Sequence, residues 1–198
     1  MTSFLVRFKK GNMQKSMIEG NTLKLILNFS IPLLLGNLFQ QFYNVVDAAI
    51  VGQTLGSYAL AAVGASSSVQ FLILEFCMGI CQGFAIMVSQ SFGAKRLDEM
   101  HTYIYAGAVW TAITAFVVSI LVVVFCADIL HILQVNDEIF KDAYAYLVVI
   151  FAGIPFTLLY NYLSAILRAI GDSKTPFLFL AFSAVLNIGL DFFCILVL

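Results

Sequence analysis

Long apolar stretches dominate this sequence and limit what it can fold into. A helix needs about 20 apolar residues to cross the ~30 Å hydrocarbon core of a bilayer. Five stretches meet that length, near residues 25–51, 60–88, 103–126, 144–167 and 176–198. Because lipid offers no hydrogen bonds to the backbone, each is predicted to be an α-helix. The predicted fold class is therefore all-α and integral to a membrane, with five transmembrane helices.

Composition excludes the soluble alternatives. Hydrophobic residues make up 62% of the chain and charged residues 11%, whereas soluble domains carry roughly a quarter charged residues. The formal net charge of -1 gives no reason to expect a nucleic-acid partner. The four cysteines lie in or next to apolar segments, and neither histidine has a partner at ligand spacing. They are read as buried small residues, with no metal or cofactor assigned to them.

The basic residues predict the orientation. A tail over residues 1–22 precedes the membrane segment 23–198, and the first apolar run is too long for a signal peptide. Nine basic residues fall before the first apolar run or in the even-numbered connections, and only Lys141 falls on the other side. These nine are Arg7, Lys9, Lys10, Lys15, Lys24, Lys95, Arg96, Arg168 and Lys174. The positive-inside rule then places the N-terminus in the cytoplasm of a multi-pass protein in the cell (inner) membrane.

Carboxylates inside the spans are the first functional candidates, because each costs roughly 2.5–3.5 kcal/mol on insertion scales. Asp47 ends a stripe with i, i+3, i+4, i+7 and i+10 spacing on one helix face. The stripe comprises Asn37, Gln40, Gln41, Asn44 and Asp47. Hydrogen bonds between helices would also explain the amides, but an amide would serve packing at Asp47 more cheaply. Asp47 is therefore predicted to face a polar cavity.

Asp191 repeats this arrangement in the fifth span. Ala184, Asn187 and Asp191 are spaced i, i+3 and i+7, so an amide oxygen and a carboxylate lie one turn apart. Such a pair can share one hard cation, or can stabilise a carboxyl group that exchanges a proton. With the N-terminus inside, Asp47 and Asp191 both fall in the outer half of the membrane. We expect the two carboxylates to face one cavity.

Two other features of the spans are less decisive. Glu75 is equally consistent with a cavity residue and with a structural hydrogen-bonding residue. In the fourth span, Pro155 is expected to kink the helix and free a backbone carbonyl, and Asn161 follows the kink. Bent helices around intramembrane polar groups are typical of transporters.

Four motifs in chain order resemble one transporter family. The first runs from Ile31 through Asn37, Gln40 and Asp47 to Gly52 and is similar to the first helix of multidrug and toxic compound extrusion (MATE) transporters. The segments 90–96 (QSFGAKR) and 167–176 (LRAIGDSKTP) resemble motifs that follow their second and fourth helices. Asn187 and Asp191 match the Asn and Asp of the fifth helix in the prokaryotic damage-inducible branch.

The resemblance implies a protein of twelve helices in two six-helix lobes. Such a protein is a transporter, not an enzyme, and exchanges Na⁺ or H⁺ for drug-like, often cationic, organic compounds. By analogy, Asp47, Asn187 and Asp191 would bind the cation with the Ala184 carbonyl. Gln40, Asn44, Asn161 and Glu75 would form a polar network around it. The chain would be an incomplete N-terminal lobe, inactive without the helices that follow it, with the bilayer and a small organic molecule as its other partners.

Three alternatives compete with this interpretation. A flippase of the same superfamily would hold a lipid-linked pyrophosphate with basic residues, whereas the charges within these spans are acidic. An intramembrane aspartyl protease needs Tyr-Asp and Gly-x-Gly-Asp motifs, but Asp47 follows Val46 and Asp191 follows Leu190. A membrane assembly subunit would explain the hydrophobicity but would leave two aligned polar faces without a purpose.

Overall fold

A computed structural model describes the backbone of residues 21–54 and 56–197. Within these ranges, the side chains of residues 51, 54, 57–59, 191, 192 and 194–197 are outside the description, as is nearly all of the predicted tail. The described residues form α-helices without any strand. The helices are α1 (Thr22–Thr54), α2 (Ser57–Gly93), α3 (Leu97–Val124), α4 (Cys126–Ile132), α5 (Asp137–Ala152), α6 (Ile154–Ala169) and α7 (Lys174–Val197).

The helices confirm the predicted all-α membrane fold. In α1, α2 and α3, the structure has three helices long and apolar enough to cross a bilayer. The pair α5 and α6 passes the same test as one span that bends by 46°. The fifth predicted span corresponds to α7, whose described apolar part, Lys174–Leu190, is shorter.

Several helices extend beyond the predicted spans. Helix α3 begins at Leu97 and α5 at Asp137, whereas the apolar pattern begins near residues 103 and 144. The extra first turns carry Asp98 and Glu99 in α3, and Asp137 and Glu138 in α5. Acidic residues there interact favourably with the N-terminal end of a helix dipole. Hydropathy reports only the part of a helix within hydrocarbon, so it missed these polar turns.

The predicted kink of the fourth span is confirmed. Gly153 separates α5 from α6, and Pro155 occupies the first turn of α6. A proline at position 155 cannot donate the hydrogen bond that an unbroken helix would direct to the carbonyl of Phe151. The hydroxyl of Ser119 on α3 donates to this carbonyl at 2.7 Å.

Packing divides the helices into a body and a pair. Helices α2, α3, α5 and α6 form the body, with Cys77, Cys81, Phe151, Ile154 and Leu158 among its buried residues. Helix α1 packs mainly on α7, and this pair joins the body through α1–α2 and α6–α7 contacts. Helix α1 is therefore held mainly by α7 and not by the tightly packed core.

Candidate cation site between α1 and α7

Gly36 defines where α1 and α7 meet. Its position is buried, and a Cβ atom there would lie 3.5 Å from Cδ2 of Leu180 and 3.8 Å from Cδ2 of Phe177. The rings of Phe39 and Phe177 also meet edge to face, with centroids 5.9 Å apart. These are ordinary van der Waals distances, so α1 and α7 are in direct contact at Gly36, next to the polar stripe.

The amides of the α1 stripe lie on the open side of the described helices. Asn37, Gln40, Gln41 and Asn44 are all exposed. Asn44 Nδ2 donates a hydrogen bond to Gln41 Oε1 at 3.3 Å. Hydrogen bonds within one helix do not explain why four amides lie so near each other in an apolar span. These groups remain available to water, an ion or another helix.

Asp47 has two tyrosine neighbours that the sequence interpretation missed. Its half-buried carboxylate lies within electrostatic range of the hydroxyl groups of Tyr43 and Tyr146. Gln40 in turn hydrogen-bonds with Tyr43. Tyr43 precedes Asp47 by one helical turn, a signal that was visible in the sequence. Tyr146 lies on α5, and only the tertiary structure brings it near Asp47.

The structure describes the side chains of Ala184 and Asn187 in the predicted site on α7, but not that of Asp191. Ala184 is buried at 5% exposure, on the same helical stripe as Phe177 and Leu180. Asn187 is exposed. The side chain of Asp191 is outside the described residues, so its approach to Asp47 stays a prediction. Ala184 is thus placed against the neighbouring helices, whereas Asn187 faces open space.

Glu75 and Asn161 lie on α2 and α6, outside the α1–α7 pair. Asn161 is half-buried on α6, and the adjacent Tyr160 hydroxyl donates to the Pro176 carbonyl of α7 at 3.3 Å. Glu75 is exposed on the side of α2 that faces away from the buried Cys77. Among described residues, no group of three or more His, Cys, Asp or Glu side chains could hold a metal. A cation here would be held by carboxylate, amide and carbonyl oxygens.

Among the described residues, long apolar helices, one pair of them bent beside a proline, define a multi-pass membrane protein. Residues 32–193 match the family described as MatE, and the chain belongs to this family.

Two relatives from Bacillus subtilis (strain 168) show how much of the chain is shared. It is 35% identical over 171 residues to "Probable multidrug resistance protein YpnP", covering 85% of this chain and 38% of that protein. It is 33% identical over 162 residues to "Probable multidrug resistance protein YoeA", covering 82% of this chain and 35% of that protein. The chain therefore spans little more than a third of the length of these relatives.

A solved structure supports the same fold. A MOP superfamily transporter from Pyrococcus furiosus superimposes with a TM-score of 0.86 at 25% identity, covering 93% of this chain and 40% of that one. The polarity of its binding pocket is described as suggesting a different function for that protein. Related folds can thus serve different substrates, so the function of this chain has to be argued from its own site.

Proposed function

We propose that this chain is the N-terminal part of a secondary antiporter that exports drug-like, often cationic, organic compounds in exchange for Na⁺ or H⁺. Membership of the MatE family and the similarity to two proteins named for multidrug resistance support the proposal. The acidic character of Asp47, Glu75 and Asp191 favours an organic cation over the pyrophosphate of a lipid-linked sugar.

The main structural support for the proposal is the way in which α1 and α7 are aligned along each other. Both helices run outward from the cytoplasm in the predicted topology, and Gly36 lies against Leu180. Counting 11 residues onward, about 16 Å of helix, leads from Gly36 to Asp47 and from Leu180 to Asp191. The contact of Gly36 with Phe177 instead places Asp191 about one turn further out. Parallel helices with these contacts would carry the two carboxylates at similar depths, which supports a shared cation site.

The chemistry of such a site follows from its oxygen atoms. Asp47, Asn187, Asp191 and the Ala184 carbonyl offer the oxygen ligands that hard cations prefer. If the ion is a proton, the same amide is a hydrogen-bond partner for a neutral carboxyl, and the hydroxyl groups of Tyr43 and Tyr146 lie within electrostatic range of Asp47. Gln40, Asn44, Asn161 and Glu75 supply further polar groups along the cavity. Cation binding neutralises the carboxylates, whereas cation release restores the negative charge that attracts a cationic substrate.

The same proposal specifies the protein's surroundings. The chain lies in the cell membrane with residues 1–22 in the cytoplasm, and 23–198 form an incomplete N-terminal lobe. Its partners are the lipid bilayer, a small organic substrate and the remaining helices of the transporter. The chain alone therefore lacks the second wall of the cavity and is not expected to transport by itself.

Replacing Asp47 by asparagine tests the proposal. Asp47→Asn keeps the size and hydrogen-bonding capacity of the side chain but removes the charge and the titratable proton. In the complete transporter, expressed in an efflux-deficient host, we expect resistance to a cationic dye to fall at least tenfold, with the amount of membrane-inserted protein unchanged. The matched control is Asp128→Asn, which changes an exposed carboxylate of α4. This variant should keep wild-type resistance. Wild-type resistance in Asp47→Asn would leave Asp47 with a packing role.

A further inference from the structure

Glu75 is a carboxylate at the middle of a long apolar helix. It lies 18 residues after Ser57, where α2 begins, and 18 residues before Gly93, where α2 ends. Each half of the helix is therefore about 27 Å long. A carboxylate costs most near the centre of a bilayer, so in membrane proteins it faces other helices or a water-filled cavity and not lipid. Glu75 thus requires polar surroundings on its side of α2.

The described part of the chain does not supply these surroundings. Glu75 is exposed, and none of the residues that the structure describes forms a hydrogen bond or ion pair with it. Cys77 and Cys81, which are buried in the body, lie on the other side of α2. A structural hydrogen bond to a neighbouring described helix therefore does not explain this acid, and its partner has to come from outside these residues.

Three neighbours share the exposed face of α2 with Glu75. Phe71 lies one turn before it, and Gly79 and Gln82 follow at i+4 and i+7. The Phe71 ring is 68% exposed, and Gln82 is exposed as well. A Cβ atom at Gly79 would have no neighbouring atom within 4 Å. These four residues, here called the Glu75 strip, thus place a ring, a carboxylate and an amide along one face, with open space between the acid and the amide.

The groups of the Glu75 strip suit an organic cation. The carboxylate supplies the opposite charge, and the face of an aromatic ring attracts a cation that lies within about 6 Å of its centre. The amide oxygen of Gln82 can accept a hydrogen bond from a protonated amine. The sequence of α2 contains no lysine or arginine that could neutralise the acid or attract an anion. The charge of the strip therefore favours a positively charged ligand.

The depth of Glu75 suits a substrate site. Secondary transporters bind their substrates near the middle of the membrane, where the site can open to either side. Asp47, in contrast, lies seven residues before the end of α1 at Thr54, about 10 Å of helix. We propose that Glu75 binds the cationic group of the exported compound, with Phe71 beside that group, and that Glu75 thereby sets a preference for cations separately from the coupling carboxylates. The identity of this ligand as an exported substrate rests on the function proposed above, whereas its binding can be measured without transport.

A pair of ligands that differ in charge tests the role of Glu75. In the purified complete transporter, Glu75→Gln is expected to weaken the binding of tetraphenylphosphonium, a lipophilic cation, by about tenfold or more, because an opposite charge is lost in a low-dielectric site. Triphenylphosphine oxide, a neutral analogue, should bind equally to the variant and the wild type. Glu75→Asp keeps the charge and should retain the preference for the cation. Glu138→Gln, which changes an exposed glutamate in the first turn of α5, is the matched control and should bind both ligands as the wild type does.

The aromatic ring has its own test. Phe71→Leu keeps an apolar side chain but removes the ring, so it should weaken tetraphenylphosphonium binding by about two- to fivefold. Phe116→Leu changes an equally exposed phenylalanine on α3, at 61% exposure, and should leave the affinity unchanged. Equal effects of the two substitutions would remove Phe71 from the proposed site.

The outcomes separate substrate recognition from helix packing and from the proposed function. Equal losses for the cation and the neutral analogue in Glu75→Gln, with a lower melting temperature, would show that another helix of the transporter covers the strip, and would overturn the proposal. Unchanged cation binding in Glu75→Gln, or a wild type that binds both ligands equally, would overturn it too. In efflux assays, Glu75→Gln should raise KM for the cation and keep the wild-type dependence on pH or Na⁺. If the wild type shows no ion-dependent efflux, the proposed antiport fails, while the binding results still decide the role of Glu75.

Discussion

At the scale of single residues, Gly107 is where α3 approaches its neighbours most closely. A Cβ atom there would lie 2.7 Å from the Tyr162 hydroxyl oxygen and 2.9 Å from Cγ of Phe84. Both distances are too short for real atoms. The Tyr162 ring cannot easily retreat, because its hydroxyl is bonded to the Ile104 carbonyl. A larger residue would have to displace the Tyr162 or Phe84 side chain.

We therefore expect Gly107→Ala to destabilise the protein by about 1–3 kcal/mol, the usual cost of overpacking a core. The measurement is the free energy of unfolding of the purified chain in detergent. Gly64→Ala is the control, since no atom lies within 4 Å of the Cβ position there. A similar change in both variants would mean that α3 and α6 can separate freely, contrary to the close approach described.

The residue scale also shows what the sequence could predict. Asp47 was identifiable because an acid in an apolar span is costly and because the amides around it share one helix face. Tyr43 and Tyr146 were missed because tyrosines in membrane helices are common at the interfaces. No sequence pattern pointed to Tyr146 in particular, since its electrostatic interaction with Asp47 depends on how α5 packs.

At the scale of elements, the start of α7 depends on one carboxylate. Asp172 Oδ1 accepts hydrogen bonds from the backbone N–H groups of Lys174 and Thr175, and Oδ2 accepts one from the Thr175 hydroxyl. Gly171 precedes it with φ of +92°, a conformation that glycine adopts readily. This turn directs α7 back along α1 and so sets where Asn187 and Asp191 lie.

Asp172→Ala is expected to destabilise the start of α7 by about 1 kcal/mol, since it removes an N-terminal cap. Asp172→Asn should retain most of the stability, because its amide oxygen still accepts the backbone bonds. Hydrogen exchange of the Lys174 and Thr175 amides measures the effect directly. Unchanged protection in Asp172→Ala would show that packing alone holds this turn.

The broken fourth span shows the limit of sequence reasoning for an element. Pro155 predicted the break, because the effect of proline on its own helix is local. The bond from the Ser119 hydroxyl to the Phe151 carbonyl could not be predicted, since Ser119 is far away in sequence and any hydroxyl on a neighbouring helix could have served. Similarly, the length of α3 was underestimated because its first turn is charged and therefore invisible to hydropathy.

At the scale of the whole molecule, the candidate site lies where packing is least complete. The body of α2, α3, α5 and α6 is tightly packed, whereas α1 and α7 leave their polar groups open. The chain also spans only 38% of the length of its relative YpnP. In the transporter proposed above, further helices would pack against this open side, so that the polar groups of α1 and α7 would line a cavity.

The final prediction concerns the two carboxylates as a unit. Two ionised carboxylates in a low-dielectric cavity repel each other, so one holds a proton or a cation lies between them. In the complete transporter, Asp47→Asn and Asp191→Asn should each abolish the response of substrate affinity to a Na⁺ or pH jump. The double variant should lose little more than either single variant, as expected for groups that share one function. Asp128→Asn should respond as the wild type does. Strictly additive losses, with each single variant still half-responsive, would instead establish two independent sites.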